Sequence, residues 1–293
     1  LKNENGNEMT LNENNGRYRE GLTANFEFYP HIKINDNWNV DVVVAACRSM
    51  KDGTVIDKID DGMRYNVNGK VGEVGVTLGV FKYWPVYALV TGDTRVYGAK
   101  FDFGKDLKTS FVIGKLSSWG GDKKSQYHAV NFDYDTKNNM NLHGAAYYLK
   151  NNAGEHPFDG KDSKNIWEVG ADTKLSDNIT FKANYAKANM SDKNSAYLLG
   201  LNYKGATADP GTYGFWVNYM KMEANSYIYP DQNIQPFQGG AKGWDVGFAY
   251  TFDKNATWKV KYFHETGLND VASGIYGPHY KLRTLRTEVI YTF

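Results

Sequence analysis

Apolar and polar residues alternate along most of this chain. Near its C-terminal end Leu285, Thr287, Val289, Tyr291 and Phe293 fall on one phase, and Thr284, Arg286, Glu288 and Thr292 on the other, with Ile290 the one apolar intruder. A period of two is that of a β-strand, whose successive side chains point to opposite faces of a sheet. The same period predicts strands at about 19–33, 37–48, 62–69, 72–82, 94–104, 107–118, 126–135, 139–149, 165–174, 178–188, 195–204, 211–223, 241–252, 255–267 and 280–293. No segment carries the spacing of an amphipathic helix and no linker divides the chain, so residues 1–293 are expected to form one all-β, antiparallel domain.

One phase of these strands is large and apolar, as in Trp38, Val40, Val42, Val44 or Trp244, Val246, Phe248, Tyr250, Phe252. The other is small or polar, as in Asn39, Asp41 or Asp245, Gly247, Ala249, Thr251. A sheet closed around a side-chain core would carry bulk on its inner phase. Here the bulk lies outside, and the inner phase is expected to face water.

The connections alternate in length. Short Asn/Asp/Gly-bearing turns fall near 35–37, 68–70, 104–106, 137–139, 176–178, 205–210 and 253–255, and long loops near 4–17, 49–61, 83–93, 119–125, 150–164, 189–194, 224–240 and 268–279. Parity places a further strand, largely upstream of Leu1, before the loop at 4–17, which makes sixteen; a hairpin merged or split in this reading would make fourteen or eighteen. Leu1 is not an initiator Met, and a processed or truncated chain is expected.

Composition narrows the choice. Mean hydropathy is −0.59, and no run approaches the ~18–20 apolar residues of a membrane helix, a test that alternating strands evade. With 34 basic and 33 acidic side chains the chain lacks the basic excess of a nucleic-acid binder. Cys47 is alone, and the six histidines (31, 128, 143, 156, 264, 279) lack metal-site spacing, so no metal or other cofactor is expected. The glycines of 69–75 suggest a phosphate loop only superficially, since no helix follows. No Gly-x-Ser-x-Gly elbow is present, and an enzyme is not expected.

A strand ending on Phe293, with Tyr291, Val289 and Leu285 in phase before it, resembles the closing strand of bacterial outer-membrane β-barrels. The sixteen-strand count, with its sorted turns and loops, resembles the general diffusion porins among them. That resemblance implies a transmembrane barrel with periplasmic turns, extracellular loops, a water-filled lumen for small hydrophilic solutes, and a homotrimer in the outer membrane. The inner phase then supplies candidate pore-lining charges: Arg17, Arg19, Glu27, Asp41, Arg64, Lys100, Asp102, Asp133, Glu168, Asp172, Lys182, Lys259, Lys261, Arg286 and Glu288. Arg17, Arg19, Arg64 and Arg286 are expected near one wall.

The loop after the fifth strand of such porins folds inward, so Tyr83, Trp84, Tyr87 and Asp93 are candidates for the constriction, although this loop is less acidic than its counterparts. Arg48, Lys82, Arg95, Lys115, Lys187, Lys221 and Arg283 sit on the outer phase at the loop-side limit of their strands. There they would meet lipopolysaccharide phosphates, with Glu20 and Glu223 as acidic exceptions. Outer-phase aromatics at the turn side (Trp38, Phe103, Tyr134, Trp258, Phe293) would form an interfacial girdle. Two other readings stand beside the passive channel: a saccharide-preferring one using Tyr29, Tyr147 and Trp216, and a structural anchor or adhesin working through the loops. The Asn/Lys/Tyr-rich strands also resemble the barrels of S-layer-homology porins, which implies a peptidoglycan tether through an upstream domain.

Overall fold

The computed structural model describes residues 23–50, 55–57, 63–92, 95–117, 124–150, 161–228, 234, 239–269 and 278–292. All regular structure among them is β: β1 (Thr23–Phe28), β2 (His31–Lys33), β3 (Trp38–Ser49), β4 (Val55–Asp57), β5 (Arg64–Val71), β6 (Val74–Lys82), β7 (Arg95–Phe103), β8 (Leu107–Ser117), β9 (Lys124–Asp135), β10 (Met140–Lys150), β11 (Ser163–Ser176), β12 (Ile179–Ala188), β13 (Ser195–Lys204), β14 (Tyr213–Glu223), β15 (Gly240–Asp253), β16 (Ala256–Gly267) and β17 (Lys281–Tyr291). From β5 onward each strand pairs antiparallel with the next. β1 and β2 both lie along one edge of β3, and β4 and β5 along its other edge.

The break between β1 and β2 falls at Tyr29-Pro30. Proline has no N–H to give the ladder, yet its carbonyl still accepts from Val42 N at 3.0 Å, so the strand line continues past it. β4 was expected as loop; it extends the β3 hairpin by pairing with Cys47 and Arg48. Counting each broken line once gives fifteen successive strands. Among the described residues no register joins the edge of β1/β2 to that of β17. The expected sixteenth strand and the loop at 4–17 lie outside the described residues.

Short turns are built for reversal. Gly104 has φ of 90°, and a Cβ there would run into the Leu107 carbonyl. Lys137, Asn139 and Asn255 take left-handed φ of 64°, 61° and 60° at two others. Register then fixes the faces, because a slip by one residue would exchange them.

The outer face carries rows of aromatic rings in mutual contact. Toward the loop side run Trp167–Tyr185, Tyr197–Tyr219 and Tyr219–Trp244, with centroids 5.5, 6.0 and 4.7 Å apart. Toward the turn side run Tyr203–Phe215, Phe215–Phe248 and Phe248–Trp258 at 6.4, 4.7 and 6.2 Å. Between them Leu199, Leu201 and Val246 are exposed aliphatics. Trp244 and Phe252 stand eight positions apart on β15, about 26 Å along a strand at ~3.3 Å per residue. A tilt of about 40° reduces this to roughly 20 Å of height, close to the ~25 Å apolar band of a membrane barrel.

Candidate functional site

Chain 83–92, between β6 and β7, packs against the inner face. Leu89 and Val90 are fully buried, and Tyr83 and Thr91 nearly so. Tyr87 and Ala88 adopt φ of 70° and 47°, a left-handed pair without glycine, while Ala88 N donates to the carbonyls of Pro85 and Val86 at 3.1 and 2.9 Å. Tyr87 is tied across the molecule: its hydroxyl donates to Asp172 Oδ1 on β11 at 3.1 Å, and its ring meets His143 of β10 edge-on at 5.2 Å. Burial, followed by the charge of Asp172, holds this phenol protonated well above the ordinary tyrosine range.

A second loop joins the first. Ile228 N donates to Val90 O at 2.8 Å, and Lys164 Nζ donates to Tyr227 O at 2.6 Å. Ile234 is fully buried. Both loops rest on an apolar floor that includes Val112, Tyr127, Ile166, Leu198 and Met220. The expectation of a polar inner phase therefore fails in the loop-side half of this wall. There the loops replace water as the neighbour, and apolar side chains are what such a contact requires.

The turn-side half of the inner face is polar. His143 Nδ1 lies 2.6 Å from Asp133 Oδ1 and its Nε2 2.9 Å from Asp172 Oδ1. Asn141 Nδ2 donates to Asp172 Oδ2 at 2.8 Å, and Asn131 Nδ2 to Asp133 Oδ2 at 2.6 Å. Asp245 accepts from Trp216 Nε1 at 3.2 Å and from Asn218 Nδ2 at 3.0 Å. The Trp216 indole packs on Gly247, where any Cβ would collide with it. On the last two strands Glu288 takes Lys261 on one oxygen and Arg286 on the other, each at 2.7 Å. Lys100 pairs with Asp102 at 2.7 Å, and His31 Nδ1 lies 2.6 Å from Asp41.

Register puts Glu27, Asp41, Arg64, Lys100, Asp102, Asp133, Glu168, Asp172, Lys182, Lys259, Lys261, Arg286 and Glu288 on the inner face. Arg17, Arg19 and Asp93 lie outside the described residues. Three refinements of the sequence reading follow. Glu168 is 6% exposed, accepting from Tyr147 Oη at 2.6 Å and from Asn184, so it lies beneath the inward loop instead of on an open wall. Tyr147, 2% exposed, is spent on that bond and is closed to a sugar ring. Arg286 shares Glu288 with Lys261, so it is not the uncompensated cation that the arginine group supposed.

At the outer rim Lys221 is paired with Glu223 at 2.7 Å, and Lys82 Nζ stands over the exposed Trp84 ring at 4.8 Å. Arg48, Lys115, Lys187 and Arg283 are exposed and Arg95 half-buried. Sequence reasoning missed the weight of His143, Asp245 and the 224–228 loop. The first two carry the inner phase and were legible as wall residues, but their partners arrive from other strands and, for His143, from the ring of Tyr87 in the inward loop. Among the described residues no group of three or more His, Cys, Asp or Glu is placed to hold a metal ion.

This arrangement, a long antiparallel meander with an apolar exterior and an inward loop after β6, has many counterparts among solved structures. Pseudomonas putida OprB matches with TM-score 0.59 at 11% identity, covering 92% of this chain and 87% of its own. The fold is that of the outer-membrane porins. Salmonella typhi OmpF in complex with daunomycin gives TM-score 0.57 at 13% identity, covering 92% and 89%, and Pseudomonas aeruginosa OpdQ gives 0.53 at 13%, covering 92% and 86%. No protein-family model matches the porin-like chain, and no curated protein matches it. The resemblance to S-layer-homology porins, with its peptidoglycan tether, gains no support from these neighbours.

Proposed function

We propose that this protein is a non-enzymatic, passive channel of the bacterial outer membrane, admitting small hydrophilic solutes and ions through its lumen. The observation that carries this reading is the polar turn-side half of the inner wall, faced by an inward loop in a porin fold. Charges of both signs on that wall order water and focus the field within a narrow passage. The loop 83–92, with the 224–228 loop against it, is the constriction. Tyr83 and Tyr87 anchor it, and exposed Trp84 stays outside the buried contact. By the same resemblance the channel assembles as a homotrimer.

The experiment is reconstitution in planar bilayers and proteoliposomes. Discrete, ohmic conductance steps and solute entry that falls with size support the proposal. Absence of any channel from correctly folded protein would refute it and leave the anchor or adhesin reading. A substrate-preferring channel is the second reading, favoured by Trp216, a half-buried ring on the inner face whose Nε1 donates to Asp245. Saturable block of the current by a saccharide, lost in Trp216→Ala, would select it.

A further inference from the structure

Under the edge of the inward loop one histidine stands between two carboxylates. His143 of β10 lies directly opposite Asp133 of β9 and diagonal to Asp172 of β11. Its Nδ1 is 2.6 Å from Asp133 Oδ1 and its Nε2 2.9 Å from Asp172 Oδ1. The second oxygen of each carboxylate already accepts from an amide, that of Asn131 or of Asn141. The His143 side chain is 12% exposed, against 26% and 25% for the two aspartates, so the ring is shielded while both carboxylates still face the lumen. A neutral imidazole has one N–H, and an ionised carboxylate only accepts. Two contacts of this kind therefore need two hydrogens: both on the ring, or one on the ring and one on a carboxyl. Either way the three groups together carry one negative charge. Removing one hydrogen turns a nitrogen lone pair toward a carboxylate oxygen and leaves two negative charges. Groups coupled this closely titrate as a unit.

The charged and titratable groups around this trio come from every neighbouring element. Lys108 of β8 stands opposite Asp133, and Lys182 of β12 opposite Asp172. Glu168 of β11 lies beneath the loop, bonded to Tyr147 and Asn184. The titratable residues of chain 83–92 are Tyr83 and Tyr87. Tyr87 donates to Asp172 and sets its ring against His143. The loop thus roofs the trio without adding a charge to it. The two aspartates sit where the loop-covered half of the wall meets the polar half, and in a narrowed passage a unit charge there acts on each passing ion.

We infer that Asp133, His143 and Asp172 form a proton-loaded selectivity element, in which the hydrogen shared through His143 sets the preference of the passage between cations and anions. The inference rests on the channel reading. Its sign follows from the proton count: release of the hydrogen adds one negative charge, so preference for cations rises with pH. His143 is then the residue that makes specificity depend on pH, and the aspartates are what the permeating ion meets.

Reversal potentials across a potassium chloride gradient would be measured on the purified, folded protein in planar bilayers. Readings at about pH 5 and about pH 9 span an ordinary imidazole and stop short of ordinary lysine and tyrosine. The potassium-to-chloride permeability ratio of the wild type should rise about twofold or more between them. His143→Asn removes the titrating ring, so its ratio should stay near the high-pH wild-type value at both readings. His143→Lys carries its charge throughout and should stay near the low-pH value. His143→Gln serves if the Asn variant does not fold. A rise that survives undiminished in the His143 variants would overturn the inference, as would a wild-type ratio that does not change with pH. A rise that persists in His143→Asn and is lost in His31→Asn would place the titration at His31 and Asp41 instead, and would overturn it equally. Discrete conductance steps with a pH-independent ratio would sink this inference alone, whereas folded protein that gives no steps would refute the channel reading and this inference with it.

Discussion

At the residue scale, a hydrogen bond ties the inward loop to β11. The Tyr87 hydroxyl donates to the Asp172 carboxylate, and hydrogen bonds to charged groups contribute about 1.5–3 kcal/mol net. Tyr87→Phe keeps the ring contact with His143 and removes this bond, so the loop should sample withdrawn positions. Single-channel recordings should show larger mean conductance and more open-state noise than wild type; identical traces would mean that buried Leu89 and Val90 hold the loop unaided. A second residue-scale expectation concerns Glu288. Because Lys261 and Arg286 share it, Arg286→Gln should shift the reversal potential toward cations by less than removal of an unpaired charge would. The shift should shrink between 0.1 M and 1 M salt as the Debye length falls from about 10 to 3 Å. A salt-independent shift would point to a change of pore shape.

At the element scale, strand phase separates two solvents. Leu201 of β13 is an exposed aliphatic between the two aromatic rows, and Asn202 beside it faces inward. Leu201→Arg should cost about 2–4 kcal/mol of barrel stability, and Asn202→Arg well under half of that, as read from urea-dependent folding in vesicles. The reverse order would mean that the faces have been exchanged. Gly104→Ala should destabilise the β7–β8 hairpin by about 1–3 kcal/mol, since its φ of 90° and the nearby Leu107 carbonyl both reject a side chain.

Strands of this kind were legible in the chain because period two is a local property, and so nearly every predicted strand returns within about two or three residues of its expected limits. The exceptions are physical. β1 and β2 part at Pro30, which the alternation of its neighbours conceals, and β4 forms only because Cys47 and Arg48 offer it an edge. The apolar loop-side inner wall was not legible either. A buried Val112 or Met220 looks the same in sequence whether its neighbour is lipid, water or a loop folded in from elsewhere in the chain.

At the scale of the whole molecule, an apolar exterior encloses a polar inner wall with two loops packed against it. By the proposed function the molecule conducts, and chain 83–92 sets the conductance. Single-channel conductance of the wild type should therefore be compared with that of a variant in which residues 84–90 are replaced by an equal length of Gly and Ser, both checked for the folded barrel by heat-modifiable migration. The wild type should give discrete steps and the variant a severalfold larger conductance, with larger neutral sugars admitted. Folded protein that gives no steps, or two proteins with equal conductance and equal size cut-off, would contradict the proposed channel.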